Sequence, residues 1–143
     1  MKAKILAKVS PDTNNHQKIP LYMSPVQAGF PSPAEDYVEQ QLDIYKHLIR
    51  NPDATFFLKA TGDSMKDAYI FDGDTLIVDR SISPEHNKIV IAAIAGELAV
   101  KRLKMRDGRV FLAPENPEYP EFEITNQEDV YIWGVVTFVF RKI

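Results

Sequence analysis

The chain has 143 residues, of which 45% are hydrophobic and 26% are charged, a balance typical of one folded domain with its own core. Its formal net charge is −3 at pH 7, so the overall charge does not favour binding to nucleic acid or to an anionic membrane. The absence of cysteine excludes disulfide bonds, thiolate metal sites and a cysteine nucleophile. No apolar run approaches the roughly 20 residues of a membrane-spanning helix. We therefore expect a cytoplasmic protein with no membrane anchor.

The first 28 residues differ in composition from the rest of the chain. They carry four lysines against one aspartate. Polar residues cluster between Ser10 and Gln17, and several prolines follow, a composition that favours extended backbone over packed structure. We interpret residues 1–28 as a mobile, extended N-terminal arm and residues 29–143 as the folded body.

One helix is predicted where the body begins. Ser32-Pro33-Ala34-Glu35 has the spacing of a capping box, with proline at the first helical position. Apolar residues from Val38 to Ile49 then recur at helical intervals until Asn51-Pro52 ends the pattern. This region is therefore predicted to form one amphipathic helix or a pair of short helices.

From Thr55 onward the pattern changes to that of β-strands. Short β-branched and aromatic runs alternate with turn sequences such as Asp72-Gly73-Asp74 and Asp107-Gly108. The body is therefore predicted to be a compact, mainly antiparallel β domain. The predicted strands are Thr55–Ala60, Thr75–Asp79, Ile89–Ala95, Leu98–Lys104, Val110–Ala113, Phe122–Ile124 and Val130–Arg141.

The sequence offers little to hold a cofactor or a metal. Its six glycines form no phosphate-binding cluster, and His16, His47 and His86 lack metal-ligand spacing. The same histidines are poorly placed for a Ser-His-Asp triad, although spacing alone leaves that possibility open. We expect no cofactor and no metal.

A candidate nucleophile follows the first predicted strand of the body. In Gly62-Asp63-Ser64-Met65 the glycine permits a sharp turn that presents Ser64 rather than burying it. Backbone amides in such a turn, those of Asp63 and Ser64, are candidates for an oxyanion hole. An ordinary polar turn explains the same residues, so the serine alone is weak evidence.

A candidate general base lies in the strand Leu98–Lys104. Alternation places Lys101 on the same face as Ala99 and Leu103, and burial among apolar neighbours disfavours the charged ammonium. Arg102 cannot serve, because a guanidinium does not lose its proton in proteins. A surface lysine whose stem covers apolar atoms is the alternative. The hypothesis is that Ser64 and Lys101 act as a pair.

Four motifs follow one another in the body: Gly62-Asp63-Ser64-Met65, Asp72-Gly73-Asp74, Ala99-Val100-Lys101-Arg102-Leu103 and Leu112-Ala113-Pro114-Glu115-Asn116-Pro117. In this order they resemble the LexA/UmuD family of Ser-Lys self-cleaving proteins. The resemblance covers about residue 29 to the C-terminus. It implies the family's compact antiparallel β fold, which signal peptidases share, with Ser64 as nucleophile and Lys101 as general base.

The resemblance also implies a cleavage site. The family cuts its own chain between a small residue and a glycine upstream of the body, and Ala28-Gly29 is the matching bond. A methyl side chain and a glycine fit a narrow cleft beside Ser64, and nearby prolines disfavour a helix there. Taken alone, an Ala-Gly pair is equally typical of a flexible hinge.

The short arm favours the branch of this family that lacks a DNA-binding domain, since 28 residues are too few for three helices and a core. The resemblance implies a role in the SOS response to DNA damage. A RecA filament on single-stranded DNA is expected to stimulate self-cleavage, and the trimmed homodimer to join a UmuC-type error-prone translesion polymerase. No direct sequence-specific DNA binding is expected. Apolar surface for the homodimer is expected from Val38–Ile49 and from Tyr131, Trp133, Phe138 and Phe140.

Two other interpretations remain open from the sequence. The chain fits a non-catalytic β interaction module, with Ser64 as a turn residue, Lys101 as a surface charge and the arm as a docking peptide. It also fits a fragment of a LexA-like repressor. Self-cleavage after Ala28 separates the first of these from the enzyme.

Overall fold

The computed structural model describes residues 1–10, 18–22 and 38–143. Two compact units divide the chain, one formed by Met1–Val9 with Asn51–Ile143 and the other by Ser10–Arg50. The described residues are mainly β, which confirms the predicted fold class. The strands are β1 (Lys2–Lys8), β2 (Lys18–Tyr22), β3 (Val38–Asp43), β4 (Thr55–Thr61), β5 (Thr75–Asp79), β6 (Ile89–Ile94), β7 (Glu97–Arg106), β8 (Arg109–Ala113), β9 (Phe122–Glu123) and β10 (Val130–Phe140), with helix α1 (Ile44–Leu48) and 3₁₀ turns at Pro52–Ala54 and Lys66–Ala68.

The first unit contains a barrel. Among its described residues, eight strands form one sheet in the order β1-β4-β5-β10-β6-β7-β8-β9. Six of these described strands close into an antiparallel barrel, because β1 pairs with β4 on one side and with β7 on the other. Lys2 lies opposite Thr61 of β4 and opposite Ala99 of β7. Residues 2–8 of the predicted arm are therefore part of the barrel, whereas the predicted boundary between residues 28 and 29 lies outside the described residues.

Two clusters of buried apolar side chains hold the barrel strands together. In β6, Ile91 and Ala93 belong to one cluster, and Val90 and Ala92 belong to the other. Successive side chains of a strand point to opposite faces, so both faces of β6 are covered. This explains why the sequence of β6 is an uninterrupted apolar run.

The aromatic residues of β10 divide between core and surface. Trp133 is buried in the first cluster, so the expectation that it contributes exposed apolar surface is wrong. The register of β10 against β6 is irregular between Ile132 and Gly134, and such a bulge changes which side chains face inward. The aromatic residues of β10 that remain exposed are Tyr131, Phe138 and Phe140.

The second unit contains an antiparallel pair, β2 with β3, followed by α1. The predicted helix is wrong over Val38–Asp43, which form β3, and correct over Ile44–Leu48. Helical spacing does not reveal that β2 offers a backbone partner for this segment. The Asp43 carboxylate accepts a hydrogen bond from the Lys46 backbone N–H (3.2 Å) and so begins the helix. The predicted capping box at residues 32–35 lies outside the described residues. No helix in the described part of the chain is long and apolar enough to span a membrane.

Gly134 of β10 makes a close contact that limits substitution. A Cβ atom at this position would lie 2.6 Å from Cγ1 of Val78, which is fully buried. We expect Gly134→Ala to lower the free energy of unfolding by about 1–3 kcal/mol, because overpacking displaces neighbouring side chains. Urea denaturation measures this change. In a Val78→Ala background the added methyl group has room, so the same substitution should cost less; an equal cost in both backgrounds would contradict this explanation.

Candidate active site

Ser64 lies in the turn that follows β4. Gly62 adopts a φ of 102°, a conformation that glycine tolerates and other residues rarely adopt. The Gly62 N–H donates a hydrogen bond to the Asp72 carboxylate (2.9 Å), and the Met65 side chain is fully buried. The turn is therefore held from both ends, which fixes the position of Ser64.

The Ser64 side chain is only 1% exposed. The expectation of a serine presented to solvent is therefore wrong. The reason is the N-terminal residue, since the amine of Met1 donates a hydrogen bond to the Ser64 hydroxyl and Met1 packs against the neighbouring apolar cluster. The serine lies in a protected environment, in which electrostatic interactions are stronger than in water.

Lys101 lies in β7, opposite Val90 of β6. Its side chain is partly buried. Burial lowers the pKa of Lys101 below its ordinary value of 10.5, and a hydrogen bond with the Met1 amine opposes this shift. A lysine in this environment loses its proton more readily than a lysine in water.

The Met1 amine lies near both candidate catalytic side chains. It donates a hydrogen bond to the Ser64 hydroxyl, and it is close enough to Lys101 for that side chain to lower its pKa. Burial, aided by the neighbouring charge and hydrogen bond of Lys101, lowers the pKa of the Met1 amine to about 6. The Met1 carbonyl oxygen accepts a hydrogen bond from the Val100 N–H (2.9 Å), which secures this end of β1. Two side chains that are 37 positions apart in the sequence thus lie near one amine.

The connection between β8 and β9 holds the Ser64 turn in place. The Glu115 N–H donates to the Ser64 carbonyl (2.8 Å), and the Asn116 side-chain amide donates to the Asp63 carbonyl (3.0 Å). The Tyr119 hydroxyl donates to the Asp63 carboxylate (2.5 Å). These residues were not assigned a role from the sequence, although Pro114-Glu115-Asn116 belongs to one of the motifs that carry the resemblance.

The remaining predicted site residues are placed as follows. The Ala28-Gly29 bond and His16 lie outside the described residues. His86 accepts a hydrogen bond from the Met105 N–H (2.8 Å), and His47 lies in α1 of the second unit. The described residues contain no group of three or more histidine and acidic side chains that could hold a metal ion.

Comparison with known proteins shows which family the chain resembles. The sequence matches the Peptidase S24-like family over residues 20–137. Protein MucA of Salmonella typhimurium is 48% identical over 120 residues, which cover 83% of this chain and 82% of MucA. Protein ImpA of Escherichia coli is 50% identical over 123 residues, which cover 86% of this chain and 83% of ImpA. Protein SamA of Salmonella typhimurium strain LT2 is 43% identical over 139 residues, which cover 96% of each chain.

The barrel and these matches define the class as a serine peptidase. The chain belongs to the Peptidase S24-like family, and it is of the LexA/UmuD type. Membership confirms the predicted family and the predicted role as a self-cleaving protein of SOS mutagenesis. It does not favour the non-catalytic interaction module.

Proposed function

We propose that the chain cuts its own Ala28-Gly29 bond with Ser64 as nucleophile and Lys101 as general base. The observation that carries this proposal is the shared amine of Met1. This amine donates a hydrogen bond to the buried Ser64 hydroxyl, and it lies close enough to Lys101 for the two amines to influence each other's pKa. Both side chains therefore lie near one nitrogen. A hydroxyl beside a lysine that can become neutral is the arrangement that Ser-Lys catalysis needs.

The proposed reaction is an acyl transfer. Neutral Lys101 accepts the Ser64 hydroxyl proton while the Ser64 oxygen forms a bond to the carbonyl carbon of Ala28. The backbone N–H groups of Asp63 and Ser64 stabilise the oxyanion. The carbon–nitrogen bond then breaks, and protonated Lys101 donates its proton to the leaving amine of Gly29. Water hydrolyses the resulting ester and restores the Ser64 hydroxyl.

The position of β1 supports an extended substrate at this site. An extended segment lies between β4 and β7, and its first residue reaches Ser64. A scissile peptide in the same orientation makes backbone hydrogen bonds to the flanking strands and needs only small side chains beside the serine. Met1 and the scissile peptide then compete for one hydroxyl, so cleavage requires Met1 to withdraw from Ser64. An activator that favours the withdrawn state raises the cleavage rate by shifting this population.

We further propose that a RecA filament on single-stranded DNA is this activator, in a bacterial cytoplasm. The trimmed chain then acts as a homodimer that joins a UmuC-type error-prone polymerase during translesion synthesis. Similarity to MucA, ImpA and SamA along most of their length supports this assignment. The exposed aromatic side chains of β10, at Tyr131, Phe138 and Phe140, offer an apolar surface for a second copy.

The test is cleavage of the purified chain by an added RecA filament. We expect two fragments, one ending at Ala28 and one beginning at Gly29, identified by intact mass spectrometry. RecA without single-stranded DNA is the matched control, and it should leave the chain largely intact. A chain that stays whole beside an active filament, or that breaks at another bond, contradicts the proposal.

A further inference from the structure

Asn116 uses both ends of its side-chain amide. The residue is 4% exposed. Its Nδ2 donates to the Asp63 carbonyl (3.0 Å), and its Oδ1 accepts from the Glu118 N–H (3.0 Å). Because an amide has distinct donor and acceptor ends, these two partners fix its orientation.

The bond to Asp63 acts on the nucleophile through a single peptide group. The Asp63 carbonyl and the Ser64 N–H belong to the same planar unit, and in a trans peptide they point in opposite directions. The described residues contain no cis peptide bond. Because the Asp63 carbonyl points toward Asn116, the Ser64 N–H points away from Asn116.

We propose that Asn116 is a positioning residue for self-cleavage, because it orients the Ser64 N–H toward the oxyanion that forms at the substrate carbonyl. This inference rests on the proposed function, in which that N–H belongs to the oxyanion hole. A hydrogen-bond donor that is already oriented before the reaction stabilises the transition state without any rearrangement of the protein. Losing this orientation lowers the rate of the chemical step.

The same segment also reaches the strand that carries the general base. The Glu115 N–H holds the Ser64 carbonyl (2.8 Å), and the Glu115 carboxylate pairs with the Arg102 guanidinium. Arg102 follows Lys101 in β7 and also donates to the Asn87 carbonyl (2.6 Å). The contacts of Glu115 therefore fix the Ser64 turn relative to β7. Asn116 adds the hydrogen bond that orients the Ser64 N–H of the proposed oxyanion hole.

The test compares Asn116→Ser with the unchanged chain in RecA-stimulated and in alkaline self-cleavage. Serine can still accept a hydrogen bond from the N–H two residues ahead, but it is too short to reach Asp63. We expect the first-order cleavage rate to fall about 10- to 100-fold, somewhat less than the effect of removing an oxyanion donor outright. The pH midpoint of the reaction should stay the same, because Lys101 is untouched. Asn116→Ala, which removes both bonds, should lose at least as much rate.

Gly134→Ala is the matched control for stability, because its clash with Val78 lies outside the site. All chains are measured at a temperature at which circular dichroism shows them folded, and Gly134→Ala should cleave at the rate of the unchanged chain. The inference is overturned if Asn116→Ser cleaves at full rate, if its pH midpoint moves, or if Gly134→Ala loses as much rate. If the unchanged chain never cleaves, the proposed function fails as well, so the two failures are distinguishable.

Discussion

A Ser64→Ala chain is expected to stay intact under every condition that cuts the unchanged protein. The substitution removes the oxygen that attacks the scissile carbonyl, and loss of a serine nucleophile lowers hydrolysis by about 10⁴-fold or more in comparable enzymes. The fold should survive, because Met65 and Gly62 still anchor the turn. The measurement is the fraction of intact chain over time, determined by mass spectrometry.

Ser81→Ala is the control for this substitution. Ser81 is an exposed serine whose hydroxyl donates to Asp79 (2.6 Å), outside the candidate site. It should cleave at the rate of the unchanged chain. Continued cutting between Ala28 and Gly29 in Ser64→Ala would remove Ser64 from the mechanism.

The second large effect is expected for Lys101→Met. Methionine fills a similar space but cannot accept a proton, and loss of a general base lowers rates by about 10²- to 10⁴-fold. Lys101→Arg should be equally inactive, since a guanidinium stays charged. The cleavage rate in the presence of RecA filament measures both variants.

Lys104→Met is the matched control on the same strand. The Lys104 amine donates to the Asn87 side chain (2.5 Å), so removing it deletes a lysine of β7 without touching the site. We expect nearly full cleavage from this variant. Equal loss in the two methionine variants would mean that the effect comes from the strand and not from the base.

The sequence predicts the strands of the body because their pattern is local. Short β-branched and aromatic runs separated by turn sequences identify the strands from Thr55 onward. The same reasoning fails at Val38–Asp43, where a helical spacing of apolar residues coincides with a strand. There, pairing with β2 determines the structure. The spacing of apolar residues within one segment does not reveal that it pairs with another segment.

Some residues of the candidate site could likewise be predicted from local sequence, and others could not. The glycine turn and the alternation of β7 single out Ser64 and Lys101, because both depend on neighbours in the sequence. The contact of Met1 depends on barrel closure by β1, although the alternation of Lys2 and Lys4 with Ala3 and Ile5 is a weak strand signal. The hydrogen bond from Asn116 to the Asp63 carbonyl joins residues 53 positions apart, and no local sequence pattern predicts it.

The pH dependence of self-cleavage tests the central claim most directly. The rate of cutting after Ala28 is followed by mass spectrometry from about pH 6 to about pH 11 in the unchanged chain and in Lys101→Met. Lys101 must be neutral to accept a proton, and burial lowers its pKa below 10.5, so the rate should rise with pH and level off before that value. If the rise at alkaline pH belongs to Lys101, it should be absent in Lys101→Met. A flat profile, a midpoint at or above 10.5, or the same profile in both chains contradicts the account.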